Sequence, residues 1–149
     1  MKSNFKLVLA GRQAEPGADF LKKLNAYTFK EDVIVKSKLQ EAEFANLLAA
    51  SYASICHSAK GAGLSVLEAF KAKVPVITLP EPYCEEVAQA AALYCAANDH
   101  TRLSEQMMLL YKDEKLREEL VFRSTEIGKE YTQEKAADRL WMIIQEAIG

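Results

Sequence analysis

Apolar residues in the first half of the chain fall into short continuous runs separated by stretches with helical spacing. Runs of that length read as strands, and recurrences at three and four read as one face of a helix. Residues 5–10 (FKLVLA) make a run of strand length that ends at Gly11, and Val33, Ile34 and Val35 make a β-branched cluster. Between them Phe20, Leu21, Leu24 and Tyr27 or Thr28 recur at helical spacing, after the Pro16-Gly17 breaker and an Asp19 suited to a cap. Residues 39–50 repeat the helical period through Phe44, Leu47 and Leu48; residues 52–56 and 74–79 read as buried strands, with a helix over 64–72 between them.

Strands are therefore expected near 5–10, 32–36, 52–56 and 74–79, with a weaker one at 93–95. Short apolar strands alternating with helices are the sequence form of a parallel sheet covered on both faces, with right-handed crossovers. Beyond Pro80 the chain turns helical. Leu103, Met107, Leu110 and Tyr111 form one apolar stripe, Leu116 and Leu120 a second, and Ala136, Leu140, Ile143, Ile144 and Ala147 a third. Each stripe is expected to pack on the sheet or on another domain. The fold class is thus α/β, a Rossmann-like parallel sheet with helices on both faces and a helical C-terminal tail. Residues 1–149 are read as one domain, since 149 residues, half of them hydrophobic, suffice for one sizeable core. No repeat of 20 to 50 residues points to a solenoid.

Charge narrows the partners only slightly. Nineteen basic residues against 21 acidic ones give a net charge of −2, which offers nucleic acid no general attraction. Cys56, Cys84 and Cys95 are odd in number and lack C-x-x-C spacing, as expected of reduced thiols that fill space. No apolar run reaches the length of a spanning helix and the opening residues lack the build of a signal peptide, so a cytoplasmic protein is expected.

The stretch richest in chemistry is SAKGAGLSVLEAF, residues 58–70, which follows a predicted strand and opens a predicted helix. At that end of a parallel sheet a helix offers unpaired N–H groups and the positive end of its dipole to an anion. Gly61 and Gly63 let the backbone approach a diphosphate, although two glycines also serve as a plain turn. Ser65 and Glu68 fit S-x-x-E, so Glu68 is either the reciprocal partner of a capping box or a first-turn carboxylate that accepts hydroxyl hydrogen bonds from a ribose.

These residues resemble the group 1 retaining glycosyltransferases, enzymes of two Rossmann-like domains (the GT-B architecture). The family motif E-G-F-G-L-P-x-L-E-A-M-A-x-G-x-P-V-V runs without a gap along KGAGLSVLEAFKAKVPVI, residues 60–77. The family segment E-V-x-G-D-A-A-L-Y-F-D-P-N-D is similar to EVAQAAALYCAAND, residues 86–99. The resemblance spans essentially the whole chain. It implies the C-terminal domain of such an enzyme, which holds a UDP- or GDP-type sugar while a separate N-terminal domain presents a glycan, lipid or other acceptor. A role in cell-surface polysaccharide synthesis and peripheral membrane association of the parent enzyme are implied in the same way. So is transfer with retention and without a metal or cofactor, helix amides and basic groups offsetting the diphosphate charge. Residue by residue, Gly63 and Leu64 would give amides to the diphosphate, Glu68 would bind the ribose, and Gly61, Glu86 and Val87 would lie at the donor pocket.

Three departures qualify the match. Lys60 stands where the family has a Glu that accepts bonds from the donor sugar, and an ammonium can only donate. Lys73 and Gln89 stand where it has glycines. The chain also opens at what resembles the family's second strand, so either residues 5–10 close up against 52–56 or another chain fills the gap, and the isolated chain is expected to be inactive. No catalytic residue is assigned. His57 and Arg12 are candidate pocket residues, an imidazole at a strand end and a guanidinium suited to phosphate; no metal-ligand spacing accompanies His57. Glu81, Glu85 and Glu86 read as the first turn of a helix beginning at Pro82, and residues 112–119 as a solvated, alternately charged face. The competing readings are a degenerate nucleotide-binding or interaction module and half of a sugar-nucleotide epimerase of the same architecture.

Overall fold

The computed structural model describes residues 5–11, 16–56 and 63–148. The chain divides into two compact units, residues 1–47 and 48–149. The first contains strand β1 (Leu7–Ala10), helix α1 (Ala18–Asn25), strand β2 (Val33–Lys36) and most of helix α2 (Glu41–Ala49). β1 and β2 pair in parallel with Leu7 opposite Val33. Gly17, and not Asp19, occupies the N-cap of α1; Asp19 lies inside the first turn, where its charge complements the helix dipole. No described residue of this unit is buried, and Phe5, Leu7, Phe20, Leu21, Tyr27, Phe29 and Ile34 are all exposed.

The second unit carries strands β3 (Ser54–Cys56), β4 (Val76–Thr78) and β5 (Ala92–Tyr94) in a parallel sheet of order β3-β4-β5. Helix α3 (Leu64–Lys71) lies between β3 and β4 in sequence, and α4 (Pro82–Ala88) between β4 and β5. Then follow α5 (His100–Lys112), α6 (Glu114–Gly128) and α7 (Gln133–Ile148). The expected parallel strands all form. Among the described residues the strands are ordered β1-β2 in one sheet and β3-β4-β5 in another.

Side chains alternate across a strand, and the alternation divides the core of the second unit in two. Val76 and Ala92 face Val66, Ala69 and Phe70 of α3 and Val87 and Ala88 of α4. Ile77 points the other way, into a cluster with Cys95, Leu110 and Leu120 from the α5 and α6 side. Helices therefore cover both faces of this sheet, as a parallel sheet without a wet face requires. Ile77 is only 1% exposed, so its truncation to Ala costs about 2 to 5 kcal/mol in transfer and cavity terms.

The apolar stripes of the helical tail pack on the sheet only in part. Leu110 and Leu120 are buried, but Met107 and Tyr111 are exposed because Gln106 takes the buried position in that turn of α5. No residue of α7 is buried, and its stripe of Leu140, Ile143 and Ile144 stays exposed. Carboxylates cap α5 and α6: Asp99 accepts a hydrogen bond from the Arg102 amide at 2.8 Å and Asp113 one from the Leu116 amide at 3.0 Å.

Candidate functional site

α3 starts at the carboxyl end of β3. Its N-cap is Gly63, with φ 69° in the left-handed region and no side-chain cap. Glycine is required there twice over. A left-handed φ disfavours any Cβ, and a Cβ at 63 would sit 3.0 Å from Val87 Cγ2 and 3.1 Å from the Tyr83 carbonyl oxygen of α4. The glycine thus lets α4 close on the amino end of α3.

That geometry settles the capping question. Ser65 is the second residue of the helix rather than its cap, so the capping box with Glu68 does not form. The Gly63 carbonyl accepts from the Val66 amide at 3.0 Å and the Leu67 amide at 3.1 Å. No described residue accepts from the Leu64 and Ser65 amides, and the first N–H groups of a helix lie at its positive end. Val66, Ala69 and Phe70 anchor the other side of α3 in the core, which fixes where those amides point.

Glu68 is the fifth helical residue, one turn beyond Leu64 on the same side, and not in the first turn. It is half-buried and close enough to Cys56, at the end of β3, to act on its thiol. Burial raises the Cys56 pKa, with smaller upward contributions from Cys84 and Glu68 against the Ser54 hydroxyl. Glu86 is exposed on α4 and directly precedes Val87, which touches Gly63. Leu64 exposes most of its side chain, at 64%. Gly63 and Leu64 thus form the amino end of α3, Glu68 lies one turn further on, and α4 brings Val87 to Gly63. Arg12, His57, Lys60 and Gly61 lie outside the described residues.

Glu81 is the N-cap of α4, Pro82 its start and Glu85 lies in the first turn, while Glu86, also expected there, is the fifth helical residue. Among the described residues no cluster of His, Cys, Asp or Glu could hold a metal ion. A depression of about 370 Å³ lined by Gln89, Glu126, Ile127, Glu130, Tyr131 and Arg139 shares none of the residues at the amino end of α3.

Two residues that depart from the resembled motif keep the backbone a glycine would have. Lys73, just after α3, has φ 57°, and Gln89, at the end of α4, has φ 47°. Gln89 is held by its surroundings: its carbonyl accepts from Tyr94 Oη at 2.6 Å, and the neighbouring Ala90 carbonyl accepts from Arg123 Nη1 at 3.0 Å. Tyr83 was not singled out by sequence reasoning, because it meets Gly63 through its backbone carbonyl.

Residues 1–126 match the family profile described as "Glycosyl transferases group 1". No curated protein matches. Among solved structures, WaaG, a glycosyltransferase involved in lipopolysaccharide biosynthesis, superposes with a TM-score of 0.72 at 22% identity, over 91% of this chain and 38% of that one. TarM gives a TM-score of 0.76 at 16% identity, over 91% of this chain and 28% of that one. The pneumococcal O-GlcNAc transferase GtfA, solved with UDP and GlcNAc, gives 0.71 at 15% identity, over 96% of this chain and 29% of that one. This chain spans roughly a third of the length of the structures it matches.

Proposed function

Because this chain belongs to the group 1 glycosyl transferases, we propose that it forms the donor-substrate domain of such an enzyme, binding a nucleoside diphosphate sugar at the amino end of α3. The observation that carries the reading is the left-handed Gly63 at the N-cap of α3, with no described acceptor for the Leu64 and Ser65 amides behind it. Two N–H groups at the positive end of a helix suit a diphosphate, whose charge they offset without a metal. Glu68, one turn further on, accepts hydrogen bonds from ribose hydroxyls. Gly61, Lys60 and Glu86 complete the donor side, and His57 and Arg12 line its margin.

The reaction is transfer of the sugar with retention to an acceptor held by a further domain, so this chain alone has no transferase activity. The pneumococcal relative was solved with UDP, which favours a UDP-type donor over a GDP-type one. WaaG acts in lipopolysaccharide biosynthesis, which favours a cell-surface polysaccharide or lipid-linked acceptor and a parent enzyme working in the cytoplasm against the membrane. No described helix is long and apolar enough to cross a membrane. Calorimetric titration of the chain with UDP, GDP and ADP tests the reading: saturable binding of one of them supports it, and no binding of any favours the second reading, a degenerate interaction module. Lys73 and Gln89 in glycine-type conformations are the observation behind that alternative, since they show a motif whose glycines are gone.

A further inference from the structure

α4 has seven residues, and a helix cannot satisfy its own last carbonyls. At its end Gln89 takes φ 47°, where the resembled motif has a glycine. Three side chains from outside the helix meet the carbonyls there. Tyr94 Oη, from the last residue of β5, donates to the Gln89 carbonyl at 2.6 Å. Arg123 Nη1, from α6, donates to the Ala90 carbonyl at 3.0 Å. Tyr131 Oη, from the connection between α6 and α7, donates to the Glu86 carbonyl at 3.3 Å. Donors from three separate elements thus close one helix end.

That end of α4 also bears the contact with the candidate site. Val87 directly follows Glu86, and its Cγ2 would lie 3.0 Å from a Cβ placed on Gly63, the N-cap of α3. Val66 of α3 shares a buried cluster with Val87 and Ala88 of α4, and Tyr131 packs against that cluster. The path from the three donors to Gly63 therefore runs through adjacent residues and touching side chains.

We propose that Tyr94, Arg123 and Tyr131 are positioning residues for the donor site: together they fasten the carboxyl end of α4 and so hold Val87 against Gly63 at the amino end of α3. The proposal rests on the donor-site reading. The three act through Val87 and not on the ligand.

The test uses the full chain with Tyr94→Phe, Tyr131→Phe and both together, which keep the rings and remove the hydroxyl donors. Ile77→Val is the comparison, because Ile77 lies in the cluster on the other face of the sheet and losing a methyl there loosens the core away from α4. UDP affinity is read by calorimetry, with GDP and ADP in parallel, and the amide resonances of Gly63, Leu64 and Val87 are followed without nucleotide. The double variant is expected to shift those three resonances and to weaken nucleotide binding by about three- to tenfold, on the order of one net hydrogen bond. Ile77→Val is expected to leave both as in the unaltered chain. Unchanged affinity in the double variant, or changes of the same size in Ile77→Val, overturns the proposal. If the unaltered chain binds none of the three nucleotides, the donor-site reading falls separately, and the resonances alone decide whether the three side chains hold Val87 against Gly63.

Discussion

Gly63 and Val87 meet so closely that a single methyl on the glycine would lie 3.0 Å from Val87 Cγ2. The contact joins the amino end of α3 to α4, so the shape of the candidate anion site depends on a missing side chain. Gly63→Ala is expected to destabilise the chain by about 1 to 3 kcal/mol, from left-handed strain and overpacking, and to weaken nucleotide binding as α4 is pushed off α3. Chemical denaturation and calorimetry on the same samples check both parts. Wild-type stability would mean that the close approach is not as tight as the geometry indicates.

Lys73 and Gln89 lead to the opposite expectation. Each carries a side chain in a conformation that favours glycine. Lys73 is exposed just beyond α3, so Lys73→Gly relieves strain without removing a core contact. A gain of about 0.5 to 1 kcal/mol is expected, left-handed strain outweighing the added entropy of the unfolded glycine. Gln89→Gly should gain similarly, less the bond from Gln89 Nε2 to the Glu86 carbonyl at 3.5 Å. Denaturant midpoints of the two variants decide it.

Tyr52 fastens the start of the β3 segment to the helices behind it. Its hydroxyl donates to the Leu110 carbonyl at 3.1 Å, and the Arg117 guanidinium lies 5.0 Å over its ring while pairing with Glu114 at 2.6 Å. Tyr52→Phe removes the hydroxyl bond and is expected to cost about 1 kcal/mol. The hydrogen bond from Arg117 lowers the Glu114 pKa, with burial opposing. A lowered folded-state pKa gives stability that is present above the ordinary carboxylate range and lost as pH falls through the folded value. Arg117→Met should therefore melt below wild type at neutral pH, and the gap should narrow as Glu114 protonates. Melting curves across acid pH test the sign.

Lys60 replaces a residue that accepts bonds from neutral sugars in the resembled motif, and its ammonium can only donate. In the complete enzyme it is expected to pair with an anion, either the donor diphosphate or the carboxylate of a uronic acid. Lys60→Met keeps the stem and should cost about 1 to 3 kcal/mol of donor affinity if that charged hydrogen bond is made. Calorimetry with neutral-sugar and uronic-acid donors, before and after the substitution, checks this. Four equal affinities would remove Lys60 from donor recognition.

The parallel strands were legible because each is a short apolar run bounded by breakers, and the helices because their apolar residues recur at three and four. Caps were less legible. Asp19 and Ser65 both fit cap patterns, yet Gly17 and Gly63 take those positions, because a glycine two residues earlier already provides the non-helical backbone a cap needs. The same shift moved Glu68 out of the first turn. The exposed stripe of α7 was read correctly as amphipathic, but periodicity says only that a face is apolar, not what covers it.

The donor-site claim is tested most directly by following the amides of Gly63, Leu64 and Ser65 by nuclear magnetic resonance while the chain is titrated with UDP, GDP and ADP. With one of these nucleotides, the account predicts saturable shifts largest at Leu64 and Ser65, abolished by Gly63→Ala. Shifts centred elsewhere, or none with any of the three, would contradict it.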